Sequence, residues 1–102
     1  MQTLKNNITL VGNMGSDALI TTFENGNKVA RFNLAINQFG SDKKAEWHRI
    51  FAWGNMAQFI EKYGEKGKQV AIHGRLVNRT YLNKKGKEQK VTEVEVKHII
   101  GL

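Results

Sequence analysis

The chain has 102 residues, room for one domain, and its hydrophobic (40%) and charged (25%) fractions are those of an ordinary globular protein. It holds no cysteine, which excludes disulfides, thiolate nucleophiles and Cys-ligated metal, and no apolar run nears the roughly 20 residues that span a bilayer. Lys and Arg number 16 against 9 acids, giving +7, and +5 of that falls in residues 68–102, which carry eight bases and three acids.

A basic excess of this kind points to a polyanionic partner, nucleic acid first, or to a solvated hairpin whose charges keep it from aggregating. The N-terminal run MQTLKNNITL lacks the apolar stretch of a secretory signal, so the expected location is the cytoplasm. No proline, Gly/Ser run or internal repeat marks a linker, and residues 91–102 still read as strand. The expectation is a single domain over residues 1–102 that ends where its fold ends.

Period-two alternation dominates the chain. In NITLVGN, Ile8, Leu10 and Gly12 share one face, with Thr9 and Val11 on the other. After a turn at Gly15-Ser16-Asp17 the strand continues as ALITTFE, and Asn25-Gly26-Asn27 is a hairpin signal because Asn and Gly tolerate positive φ. VARFNLAIN follows, with Ala30, Phe32, Leu34 and Ile36 on one face. Residues 38–45 are polar loop, and AEWHRIFAWG is the third long strand.

One segment breaks the pattern. Met56, Phe59, Ile60 and Tyr63 fall at i, i+3, i+4 and i+7, which predicts a short amphipathic helix capped by Asn55 and stopped at Gly64. QVAIHGRLVNRTYL and EQKVTEVEVKHII then form two long strands around Asn83-Lys84-Lys85-Gly86, the first with Val70, Ile72, Gly74 and Leu76 inward. The fold class is all-β with one short helix. Five strands with a helix between the third and fourth is the plan of the OB-fold barrel; a short β-sandwich competes but gives no reason for the helix.

Parity on the third strand separates Trp47, Arg49, Phe51 and Trp53 from His48, Ile50 and Ala52. The second set suits a small barrel interior, which turns two indoles, a phenyl ring and a guanidinium outward. Single-stranded nucleic acid needs such a surface, with rings for bases and cations for phosphates. The opposing reading buries these aromatics and lets Arg49 snorkel out. The fourth strand repeats the theme with Arg75, Arg79 and Tyr81, and Lys84, Lys85 and Lys87 crowd the hairpin tip.

Catalysis is not expected. His48, His73 and His98 have no metal-ligand spacing, no Gly-rich loop opens a helix, and Glu93 and Glu95 are explained by cross-strand pairing with lysines. No catalytic residue, metal or cofactor is assigned.

These residues resemble the bacterial single-stranded DNA-binding protein (SSB) family. The likeness runs from Ile8-Thr9-Leu10-Val11-Gly12-Asn13 through Val29-Ala30-Arg31-Phe32 and the most specific stretch, Trp47-His48-Arg49-Ile50-Phe51-Ala52-Trp53-Gly54. It continues in Lys66–Leu76, Arg79-Thr80-Tyr81 and Thr92-Glu93-Val94. The resemblance implies an OB-fold homotetramer, nucleoid-associated, that protects single-stranded DNA in replication, recombination or repair. By position it makes Trp47, Trp53, Tyr81 and, through a loosely aligned loop, Phe39 stacking residues, and His48 an interface residue. The family usually continues into a flexible linker and an acidic tip. This sequence stops at Leu102, so a short form is expected, without tail-mediated recruitment of repair enzymes and without a membrane role. The competing functions are a tailless OB subunit of a restart or recombination assembly that docks a protein, and a binder of RNA or oligosaccharide.

Overall fold

The computed structural model describes residues 6–37 and 45–102. Their elements are β1 (Ile8–Met14), β2 (Leu19–Thr22), β3 (Lys28–Asn37), β4 (Ala45–Trp53), α1 (Gly54–Tyr63), β5 (Gln69–Leu82) and β6 (Glu88–Gly101). The sheet order is β1-β5-β6-β4-β3-β2, and β1 returns to pair with β3 at Asn13↔Ala35 and Met14↔Leu34. That second pairing closes a ring of five strands, with the helix between β4 and β5. The architecture is the OB-fold.

The expected first strand is present in two pieces. β1 and β2 both pair with β3, on either side of a corner at residues 15–18. The corner is held by Gly15 N–H donating to the Asn33 carbonyl (2.7 Å) and by Asp17 Oδ1 accepting from Lys66 N–H (2.8 Å).

Alternation decides what faces inward. Ala30, Phe32 and Leu34 of β3, Ile50 and Ala52 of β4, Val70 and Ile72 of β5, and Val94 and Val96 of β6 are buried together with Met14. Ile36 packs against this core half-buried. The helix closes one end of the barrel through Ala57 and Ile60, both fully buried.

Three local expectations are corrected. Asn55 does not cap the helix. β4 runs straight into α1, Trp53 stands at the cap position and no side chain bonds to the first turn. Phe59, expected on the buried stripe, lies at the rim at 37% exposure, stacked on Tyr63 at 5.3 Å. Leu76 is 44% exposed rather than inward, because β5 leaves β1 at Gly74, just past a register shift against β6.

Beyond that point β5 and β6 continue as a two-stranded arm to Leu82↔Glu88. Its tip closes where Asn83 Oδ1 accepts from the N–H groups of Lys85 (2.9 Å) and Lys87 (3.0 Å). Gly86 takes φ +77° there, a conformation that a side chain disfavours.

Candidate nucleic-acid interface

The outer face of β4 follows from the parity of its inner face. With Ile50 and Ala52 in the core, Trp47, Arg49, Phe51 and Trp53 turn outward, and β3 sets Ala35, Asn33, Arg31 and Val29 opposite them. Trp47 is 61% exposed and Trp53 43%. The Trp47 ring lies over Gly15, where even a Cβ would collide with the indole. Trp53 stacks on Phe23 with centroids 5.8 Å apart. Each indole thus has one side braced by the protein, which limits the entropy lost when a base settles on it.

Phe51 points outward but is only 8% exposed, because the Arg31 guanidinium lies 5.3 Å from its ring centre. It offers a support for Arg31 rather than an open ring. Arg31 and Phe23 escaped the sequence reading. Arg31 does lie opposite in parity to Ala30, Phe32 and Leu34, so its outward direction was readable; its seat on Phe51 depends on the Arg31↔Phe51 register. No periodic signal marks Phe23.

Two shallow grooves flank Arg49. One, of about 470 Å³, runs between the β1–β2 corner (Ser16, Asp17), Arg31 and Asn33 of β3, and Arg79 and Glu93 of the hairpin. The other, of about 350 Å³, lies between Trp47, His48, Leu76 and Thr92. Arg49 lines both: the first groove carries the outer face of β4 to Arg79 and Glu93 of the hairpin, and the second opens beside it, before the β4–β6 pairing begins at Arg49↔Glu93, lined also by the inward-parity residues Leu76 and Val94.

The hairpin cations divide into two kinds. Arg75 Nε donates to Glu95 (2.7 Å), and Arg79 Nε donates to Glu93 (3.1 Å). The acids expected to pair with lysines pair with arginines instead, since the antiparallel register sets Arg75 opposite Glu95 and Arg79 two residues from Glu93 on the same face. Arg49, Lys84, Lys85 and Lys87 form no ion pair among the described residues. Tyr81 is 40% exposed, with Arg79 6.0 Å from its ring centre. The structure therefore gathers Trp47, Arg49, Phe51 and Trp53 on one strand face, brings Arg75 and Arg79 beside it, and sets Tyr81 and the three lysines farther out along the arm. Phe39 lies outside the described residues.

No helix among the described residues is long and apolar enough to cross a membrane. The family model of the single-strand binding protein family matches residues 5–102. That match spans nearly the whole barrel and the hairpin just described, and the proteins of this family bind single-stranded DNA without catalysing a reaction. The chain belongs to the single-strand binding protein family and is a non-enzymatic, single-stranded-DNA-binding protein.

Proposed function

We propose that residues 1–102 act as one domain that holds single-stranded DNA without sequence preference, bases stacking on Trp47, Trp53 and Tyr81 and phosphates meeting Arg49, Lys84, Lys85 and Lys87. Phe51 contributes as the support of Arg31, Arg75 and Arg79 flank the strand while paired with Glu95 and Glu93, and Phe39 joins the stacking set on resemblance. The process served is the protection of exposed strands during replication, recombination or repair, on the nucleoid in the cytoplasm. The observation that carries this reading is the pair of exposed, braced indoles on one strand face with Arg49 between them. Titration with poly(dT) tests it: tryptophan fluorescence falls on saturation, and silence of both indoles would refute the stacking mechanism.

Salt separates the two kinds of contact. Each phosphate neutralised on a single strand contributes about −0.7 to the slope of log affinity against log salt. Four free cations give a slope near −3 per subunit, on the order of 4 × 0.7. Replacing Lys84, Lys85 and Lys87 together with Gln is expected to make the slope shallower by about 1–2 units, with fluorescence quenching at saturation unchanged. A triple variant with the parent's slope would make the tip a solvated arm only.

The assembly is proposed to be a homotetramer built from dimers. β1 pairs with β5 over Ile8–Asn13 and meets β3 only at Asn13 and Met14, so among the described residues its other edge from Ile8 to Gly12 is open. Open edges invite pairing with another chain. The outer face beside it carries Val11 (48% exposed) and Ile100 (62%). The mass in solution at micromolar concentration is expected to be four times 11.6 kDa; a monomeric mass rejects the assembly.

A further inference from the structure

Glu93 is a buried charged side chain, 5% exposed, on the wall of the groove proposed to receive a polyanion. On charge alone a carboxylate is out of place there. Its two oxygens serve different strands. Oε2 accepts from Arg31 Nη1 of β3 at 2.8 Å, and Oε1 accepts from Arg79 Nε of β5 at 3.1 Å. Arg31 reaches Glu93 across β4, over the Phe51 ring, while Arg79 lies against Tyr81. The series Phe51–Arg31–Glu93–Arg79–Tyr81 thus runs unbroken across the face.

We propose that Glu93 is a positioning residue that sets the preference for single strands over duplex. It fixes two guanidinium groups beside rings and cancels one of their two charges, so that Arg31 and Arg79 present flat surfaces to bases instead of free cations to phosphates. Guanidinium planes stack on aromatic faces, and base stacking on such platforms is what a single strand offers and a duplex withholds. Phosphates, by contrast, are present in both. The group of three carries +1 with Glu93 and +2 without its charge. This inference rests on the stacking reading given above.

Glu93→Gln keeps the shape and removes the charge. Binding is followed with poly(dT) by tryptophan fluorescence and with a labelled duplex by anisotropy, over a series of salt concentrations. The variant's poly(dT) slope is expected to be steeper than the parent's by about 0.7–1.4 units, and duplex affinity to rise roughly tenfold at 0.1 M salt. An unchanged or shallower slope in the folded variant overturns the proposal. Arg79→Gln provides an independent arm, since its side chain is 48% exposed and Glu93 keeps its bond to Arg31 in the variant. It is expected to weaken poly(dT) binding while keeping the parent's slope, and a slope shallower by about 0.7 overturns the proposal as well. Indoles that do not respond to saturating poly(dT) remove the stacking reading itself; responsive indoles with an unchanged slope remove only the role of Glu93.

Discussion

Replacing Trp47 and Trp53 together with alanine is expected to weaken poly(dT) binding by about 2–6 kcal/mol, a loss of roughly 30-fold at the low end. Each stacked base contributes about 1–3 kcal/mol. The two indoles are six residues apart on one strand, which places them about 20 Å from each other, so their effects should add. The fold should survive, because both side chains lie on the surface outside the core and the packing lost is the Trp53–Phe23 stack and the cover over Gly15. With the intrinsic reporters gone, the measurement is anisotropy of a labelled dT oligomer. An affinity within twofold of the parent would place the bases elsewhere on the molecule.

Ile50→Ala should do the opposite: large damage to stability and little to the site. Ile50 is 1% exposed, faces the core between Arg49 and Phe51, and pairs with Phe32 on one side and Val94 on the other. Truncating such a residue costs about 2–5 kcal/mol in lost transfer energy and cavity. For a domain of this size that lowers the melting temperature by on the order of 10–30 °C. Below the transition, poly(dT) affinity should stay within a few-fold, since the neighbouring outward side chains keep their backbone. Thermal unfolding followed by circular dichroism reads the first effect; titration at low temperature reads the second. A stable variant would mean that the barrel refills the space left by the missing atoms.

The contrast between these two substitutions follows from strand parity, which is why so much of this molecule is legible in its residues. Alternation alone separates Ile50 and Ala52 from Trp47 and Trp53, and it locates Gln69–Leu82 as one strand. The 3.6 period of Met56, Ile60 and Tyr63 marks the helix. What parity does not carry is which outward side chain meets which. Phe51 reads as an open ring until the register puts Arg31 above it. Glu93 reads as a partner for lysines until the fold sets it between Arg79 of its own hairpin and Arg31 of β3, far away in the chain. Leu76 keeps the inward parity yet is exposed, because the strand has left the barrel by then, and no local pattern announces where a ring of strands ends. The helix cap failed for a related reason: Asn55 is a good capping residue, but a strand feeding directly into the helix leaves it no place outside the first turn.

The ring of strands is not equally strong all the way round. β3 and β4 pair over nine residues, from Val29↔Trp53 to Asn37↔Ala45, whereas β1 and β3 meet only at Asn13↔Ala35 and Met14↔Leu34, and β4 and β6 run parallel over only Arg49↔Glu93, Ile50↔Val94 and Phe51↔Glu95. The β4–β6 seam lies directly beneath the proposed DNA path. A strand of DNA lying from Trp47 and Arg49 to Arg79 and Tyr81 would bridge it, and would bind the closed ring in preference to one sprung open at that point. A ligand that selects one form stabilises it, by about 2.7 kcal/mol at a hundred times its Kd. The nucleic acid would then act as a sixth stave of the barrel, and backbone amides of Ile50 and Val94 would exchange with solvent more slowly in the complex than in the free protein.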